Sequence, residues 1–325
     1  MRSHARHPRS SPRARLRRRH VQVTLQRYSA ASLLRAAFNG GAHWRRLWGG
    51  RDPEPAYDVV VVGAGGHGLA TAYHLARDHG IRRIAVLERK LLGYGNVGRN
   101  TTIVRSNYLL PENHLFYEDS LRRWENLSRT LNYNVMYSPR GVVDLGNSDD
   151  DMTVMARRGN AMRLAGIDAE LMDRKDLKRF LPLLDLDIPR RFPIVGALVQ
   201  RRGGTVRHDA VAWGYARAAS ALGVDIIQNC EVIGIQREGD KVVGLETTRG
   251  VIKTKKIGVV TAGHVSTIMD MAGVRMPIES QCLQALVSEP IKPVIDCVVM
   301  ANTVHGYMSQ SDKGELVIGG GTDPY

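Results

Sequence analysis

Six residues after a short apolar run constrain this chain more than anything else in it: Gly63-Ala64-Gly65-Gly66-His67-Gly68. The run, residues 56–62, follows the turn-prone stretch 52–55 and is apolar enough for a strand buried on both faces. Residues 68–78 carry helical spacing, with Leu69, Ala72, Leu75 and Ala76 on one side and Gly80 closing the helix. Residues 84–88 read as a second strand, which completes a β-α-β unit. In this context each glycine has a reason. Gly63 permits the tight turn, Gly65 lets backbone approach a pyrophosphate, and Gly68 clears the close contact of helix and strand. Gly66 and His67 lead into the helix, whose free N–H groups meet the phosphates.

Glu88 follows Gly68 by 20 residues, at the end of the second strand. A carboxylate there accepts hydrogen bonds from a ribose diol and repels a 2′-phosphate, so FAD or NAD is favoured over NADP. The stretch 93–100, rich in Gly and Asn, reads as a loop. Together with Thr101, Thr102 and Ile103 it can lay backbone amides along a long cofactor, which favours FAD. An ordinary surface loop is the alternative.

Charge narrows the partners. The net charge is +14, but the first fifty residues hold 12 arginines and no Asp or Glu, leaving +2 for the rest. A basic nucleic-acid-binding fold would spread that charge over its folded surface. Nucleic acid is therefore not an expected partner. Residues 1–20, with Ser/Pro/Arg clusters and no apolar period, read as disordered and functionally neutral. They lack the apolar centre of a secretory signal and the amphipathic pattern of a transit peptide. No apolar run is long enough to cross a bilayer, so no membrane association is expected. Cys230, Cys282 and Cys297 have no metal-ligand spacing and suggest no disulfide framework. A cytoplasmic location without a metal is the expectation.

Beyond the first unit, helices are expected over 112–127 and 151–165, a strand pair over 134–144, and a short strand and helix over 166–182. Residues 209–222 are helical by their apolar period, and Gly223 ends them before a strand at 224–227. Strands 230–236, 242–247 and 251–254 form a meander that feeds 257–262. Further strands fall at 284–287, 298–300, 306–309 and 315–318, followed by a glycine-rich turn over 319–325.

Arg105 can clamp a small carboxylate through its planar fork, although a solvated or phosphate-facing arginine is the rival reading. His208, ahead of a helix and between Arg207 and Asp209, could cap, bind a phosphate, act as a base or be alkylated by a cofactor. His264 is similarly open. Val232 opens a strand where folds of this kind bring backbone groups to an adenine.

Four segments carry a resemblance: 57–73 around the glycine turn, Arg99-Asn100-Thr101-Thr102-Ile103-Val104-Arg105-Ser106-Asn107-Tyr108, 207–213 around His208, and 223–232. From about residue 26 onward the chain is similar to the beta subunits of heterotetrameric sarcosine oxidases. These sit within the FAD-dependent group of glycine oxidase, monomeric sarcosine oxidase and dimethylglycine dehydrogenase. The fold this implies is α/β, with an FAD-binding Rossmann-like domain of glutathione-reductase type. An interleaved α+β substrate domain contains an antiparallel sheet. The expected division is a basic extension over 1–25, an arm over 26–55, the FAD-binding domain over 56–105 and 201–272, and the substrate domain over 106–200 and 273–325. The resemblance implies non-covalent FAD along Gly63, Gly65, Gly66, His67, Gly68, Glu88, Asn96, Asn100, Thr101, Ile103 and Val232. It implies FMN attached covalently to His208 with Arg207 beside it, and Arg105 holding the substrate carboxylate.

The implied reaction is oxidative demethylation of sarcosine to glycine, by hydride transfer to FAD and electron passage to FMN. The products are hydrogen peroxide and either formaldehyde or 5,10-methylenetetrahydrofolate. Implied partners are alpha, gamma and delta subunits, with tetrahydrofolate and NAD on the alpha subunit. Sequences of this kind continue past the position matching Tyr325, and 1–25 lie outside the resemblance, so a C-terminal truncation and an unrelated N-terminal extension are expected. The competing readings are another FAD-dependent secondary-amine or amino-acid dehydrogenase, and a non-catalytic remnant.

Overall fold

The structure is a computed structural model that describes residues 29–40, 48, 51–108, 110–186 and 191–322. It divides into two units, 1–45 and 46–325. The first contains helix α1 (Ala30–Phe38), opened by Ser29, whose hydroxyl accepts the Ser32 N–H at 3.1 Å. The basic stretch 1–25 lies outside the described residues.

The second unit opens on β1 (Val59–Val62), α2 (Gly66–His79) and β2 (Ile84–Leu87). Four valines in β1 are all buried, and so are all four residues of β2, as a strand covered on both faces requires. Gly80 ends α2 in the left-handed conformation. The chain continues through β3 (Ile103–Val104), α3 (Pro111–Leu131), β4 (Val142–Gly146), α4 (Asp149–Leu164), β5 (Glu170–Asp173) and α5 (Arg174–Phe180). Next come β6 (Gly196–Gln200), β7 (Gly204–Thr205), α6 (His208–Ala221) and β8 (Asp225–Ile227). The meander β9 (Val232–Glu238), β10 (Lys241–Thr247) and β11 (Gly250–Lys253) follows, then β12 (Ile257–Val259) and α7 (Val265–Asp270). Strands β13 (Leu283–Val287), β14 (Val298–Ala301), β15 (Gly306–Gln310) and β16 (Leu316–Thr322) complete it.

Two sheets organise this unit. The first is parallel, in the order β12-β1-β2-β8. One face packs on α2 and α6 through Val59, Val61, Leu69, Ile84, Val86, Ala216 and Ile226. The other face packs on the meander through Val60, Val62, Leu87, Leu245 and Ile252. Its strands come from 56–105 and 201–272. The second sheet is mixed, in the order β13-β16-β15-β14-β4-β6-β5, antiparallel except for β14 beside β4. Its strands come from 106–200 and 273–325. The two halves of the chain therefore interleave, and β3 pairs with β7 in a short ribbon where chain passes between the two sheets.

Several expectations need correction. Only Val142–Gly146 of the supposed strand pair over 134–144 is a strand; before it Met136 and Gly141 take positive φ, 54° and 93°, and break any regular pairing. Strand β6 was not foreseen, although all five of its residues are buried, between β4 and the edge strand β5 of the mixed sheet. Ala197 and Val199 face the α5 side while Leu198 faces α4, so a strand buried twice shows no alternation in its sequence. Helix α7 was also missed. The stretch 257–262 is shorter as a strand and turns into a 3-10 segment at Ala262–His264. The loop over 93–100 contains a 3-10 turn, Asn96–Arg99. The glycines after Ile318 are strand rather than turn. Gly319 pairs with both Ala285 and Tyr307, and a Cβ on Gly319 would sit 2.0 Å from the Tyr307 ring, so glycine there lets the aromatic ring lie flat on the strand.

Candidate functional site

The glycine turn separates into two glycines the fold needs, Gly63 and Gly68, and two it does not, Gly65 and Gly66. Gly63 has φ +107°, and a Cβ on it would meet the Val260 carbonyl oxygen at 2.4 Å. A Cβ on Gly68 would meet the Gly63 carbonyl oxygen at 1.9 Å. Both are forced by the chain's own packing. Gly65 has ordinary extended angles, φ −79° and ψ 180°, and an added Cβ would touch only the Val97 side chain at 3.6 Å. The fold itself would accept a Cβ there, so what the bare backbone keeps clear is room for something outside the chain. Gly65 also caps α2 without a side-chain hydrogen bond, and no acid lies in the first turn. The helix thus offers bare N–H groups and a partial positive charge beside an open approach. Exposed His67 and half-buried Gly66 lie on that turn.

Glu88 closes the other side. Its carboxylate accepts the Ala64 N–H and the Lys90 N–H, both at 3.0 Å, which fixes it beside the turn and leaves lone pairs on both oxygens. The segment after β8 comes to the same place, where the Cys230 N–H donates to the Glu88 carbonyl at 2.9 Å. Val232, buried, begins β9 just beyond it. Thr261, two residues past β12, has a buried hydroxyl without a partner among the described residues. It adjoins the turn, since a Cβ on Gly63 would lie 3.6 Å from its nitrogen. Sequence reasoning passed over Thr261; the small-residue run Thr261-Ala262-Gly263 after an apolar strand was the available signal. An orphaned hydroxyl, an uncapped helix start, a glycine without a steric need and a poised carboxylate together fit a dinucleotide's diphosphate and ribose.

The loop after β2 folds back over this turn. The Gly93 N–H donates to the Ala64 carbonyl at 2.9 Å, and Val97 packs over Gly65 and Gly66. Exposed Asn96 opens the 3-10 turn. The Asn100 side chain donates to the Val97 carbonyl at 2.7 Å and accepts the Thr102 N–H at 2.8 Å, which holds Thr102 at φ 66°. Beyond Thr101 the chain enters β3, where Ile103 pairs with Thr205, and the Val206 N–H donates to the Thr102 carbonyl at 3.1 Å. This ribbon brings Asn100 and Thr101 alongside Arg207 and His208.

His208 opens α6, half-buried, and its imidazole has no hydrogen bond among the described residues. It is not the helix cap, because Arg207 occupies that position without a side-chain capping bond. Arg207 is engaged on both sides: it pairs with Asp209 at 2.8 Å and with Asp312 at 3.0 Å. The Asp209 hydrogen bond does most to hold the guanidinium charged. Partial burial pushes the Asp209 carboxyl up, but the Arg207 guanidinium and the Ala210 N–H outweigh it and hold the group below the usual carboxylate range. An imidazole without a hydrogen bond among the described residues, flanked by this fixed pair, is open to an incoming group. His264 lies elsewhere, its ring 2.7 Å from the Arg89 guanidinium.

Arg105 stands at the far end of the ribbon. One of its nitrogens donates to the Asn107 side-chain oxygen at 2.8 Å, and the guanidinium lies 4.4 Å from the centre of the Tyr108 ring. No carboxylate pairs with it among the described residues, so a half-buried cation keeps its charge for a guest. Among those residues there is also no cluster that could hold a metal ion.

Residues 58–325 match the family described as FAD dependent oxidoreductase. The chain belongs to this family. Among FAD-dependent oxidoreductases it is similar to the sarcosine oxidase subunit beta of Rhizobium meliloti (strain 1021), 58% identical over 299 residues that cover 92% of this chain and 72% of the relative. The corresponding subunit of Rhodobacter capsulatus is 53% identical, with 93% and 72% covered, and that of an Arthrobacter species is 48% identical, with 87% and 70% covered. Among solved structures, L-proline dehydrogenase from P. horikoshii shares the fold at a TM-score of 0.76 and 24% identity, covering 83% of this chain and 71% of that one. Glycine oxidase from Geobacillus kaustophilus does so at 0.74 and 18%, with 83% and 72% covered. The FAD-dependent fold of interleaved parallel and mixed sheets is thereby shown. No helix among the described residues is long and apolar enough to cross a membrane.

Proposed function

We propose that this chain is the flavin-bearing beta subunit of a cytoplasmic sarcosine oxidase, oxidising sarcosine to glycine within a complex of alpha, gamma and delta subunits. The observation that carries the reading is Arg105: a half-buried guanidinium, fixed by a neutral partner and paired with no carboxylate among the described residues. It would take the carboxylate of a small zwitterionic substrate in a bidentate grip and hold the N-methyl group in one orientation. The high identity to sarcosine oxidase beta subunits supports sarcosine as that substrate.

FAD, when bound, supplies the hydride-accepting ring. The chain's own residues hold and shield it. Gly63, Gly66, His67 and Gly68 shape the phosphate turn, Gly65 leaves the approach open, and Glu88 takes the ribose hydroxyls. Asn96, Asn100, Thr101 and Ile103 run along the length of the cofactor, and Val232 meets the adenine end. The protein needs no added base, because a neutral amine can give up hydride directly; Arg105 orients and the glycine turn binds. His208 is the attachment point for covalent FMN, its imidazole without a hydrogen bond among the described residues and next to the Arg207 ion pairs with Asp209 and Asp312. Folate and NAD belong to the alpha subunit in this reading.

The test is the intact mass of the chain after co-expression with its partner subunits, together with formaldehyde release from sarcosine. A mass increase of one FMN, mapped to the peptide holding His208 and lost in His208→Ala, supports the assignment. A flavin-loaded complex that carries no covalent FMN and releases no formaldehyde would refute it.

A further inference from the structure

The segment that carries Arg105 is built from buried polar groups, and they do different work on its two sides. Ser106, wholly buried, is saturated: its N–H donates to the Gln200 side-chain oxygen at 2.9 Å, its hydroxyl donates to Glu118 at 3.1 Å and accepts from Gln200 at 2.7 Å. Asn107, 1% exposed, is not saturated. Its side-chain oxygen accepts from Arg105, while its side-chain nitrogen is buried without a partner among the described residues. The amide cannot be turned over, because that would set an N–H donor against the guanidinium.

Asn107 is itself anchored. Its main-chain carbonyl accepts from Arg158 at 2.7 Å, and Arg158 pairs with Asp144 at 2.8 Å. Asn302 donates to the other Asp144 oxygen at 2.9 Å. Arg158 is 11% exposed and Asp144 is 2% exposed, so the anchor is a dry ion pair on the mixed sheet. On its other face Arg105 rests on Tyr108, whose ring stacks on Tyr117 at 3.6 Å.

We propose that Asn107 is a positioning residue that aims the Arg105 guanidinium at the substrate carboxylate without neutralising it. The proposal rests on the reading of Arg105 as the carboxylate clamp. An unpaired buried donor makes Asn107 a poor packing element, but its oxygen supplies a neutral acceptor at a fixed place. A carboxylate in the same position would bind Arg105 more tightly and consume the charge the substrate needs. The alternation of partners follows from this: Arg158 is paired with Asp144 and Arg202 with Glu118 and Glu125, whereas Arg105 is given an amide.

The experiment compares Asn107→Asp, Asn107→Ala and Arg105→Met in the FAD-loaded chain co-purified with its partner subunits. Two substrates are used, sarcosine and sarcosinamide, which lacks the negative charge, and acetate binding is followed by calorimetry. For sarcosine, KM should rise in the order wild type, Asn107→Ala, Asn107→Asp, with the last raised roughly 10–100-fold, the size of one lost charged hydrogen bond. Acetate affinity should fall in the same order, and sarcosinamide should show none of this ordering. In the Arg105→Met background neither Asn107 change should add a further loss.

A near-isosteric Asn107→Asp that is milder than Asn107→Ala, or that penalises sarcosinamide equally, would show Asn107 to be packing alone and overturn the proposal. If Asn107→Asp does not fold, additive losses for Asn107→Ala and Arg105→Met would overturn it in the same way. A normal sarcosine KM in Arg105→Met would instead remove the clamp reading first, so the two failures are distinguishable.

Discussion

At the scale of single residues, the site is defined by which side chains are left out of the fold's own bonding. Gly65 could carry a methyl group as far as the chain is concerned, whereas Gly63 and Gly68 could not. Gly65→Ala should therefore fold with an unchanged Tm yet bind FAD at least about tenfold more weakly, a cost of ~1.4 kcal/mol or more, read by flavin titration. Undiminished FAD affinity would detach the phosphates from this turn. Gly68→Ala, by contrast, should fail to give folded protein, because its methyl would overlap the Gly63 carbonyl. Glu88 holds two backbone N–H groups with two oxygens. Glu88→Gln keeps one acceptor and loses the charge, and should weaken FAD binding by about tenfold, one charge-assisted hydrogen bond's worth. The turn and packing roles of Gly63 and Gly68, and the place of Glu88 after β2 beside that turn, were legible because spacing alone encodes them. Thr261, Asn107 and the Arg207–Asp312 pair were not, since each depends on chain brought in from a distant strand.

At the scale of elements, the β-α-β unit and the meander could be read from the sequence because each carries a local pattern: a turn signal, a helical period, or an alternation. Strand β6 and the glycine end of β16 could not. Both take their identity from neighbours, β6 from helices on either face and Gly319 from the Tyr307 ring. The entry to β1 shows how such long-range ties are made. Tyr57 is buried, donates its hydroxyl to Asp225 on β8 at 2.9 Å, and accepts the Glu54 N–H at 2.9 Å. Tyr57→Phe should cost ~1–2 kcal/mol and lower the Tm by ~2–6 °C in a thermal melt. Burial, with Asp225 adding to it, pushes the phenol from 10.0 up to about 12. The folded state therefore favours the neutral phenol. The stabilisation is fully present below pH 10.0 and is lost as pH rises through about 12, and wild type but not Tyr57→Phe should show that loss.

At the scale of the whole molecule, two interleaved halves of the chain build one sheet that binds a dinucleotide and another that frames Arg105. The short β3–β7 ribbon lies between the two proposed sites, with the FMN candidate His208 beyond one end and the proposed clamp Arg105 beyond the other. Leu283, Leu286 and Val287 on β13 are 66–70% exposed, and an apolar strand of this kind at a sheet edge invites association. Leu286→Lys should leave thermal stability within ~0.5 kcal/mol of wild type and reduce light scattering of the purified chain. In the proposed function, a bound flavin takes electrons from sarcosine under the control of Arg105. Anaerobic mixing of the flavin-loaded complex with sarcosine, followed in the visible flavin band, tests it most directly. The band should bleach with sarcosine, stay unchanged with glycine, and bleach in Arg105→Met only at much higher sarcosine concentration. A fully flavin-loaded protein whose band sarcosine leaves unchanged would contradict the account.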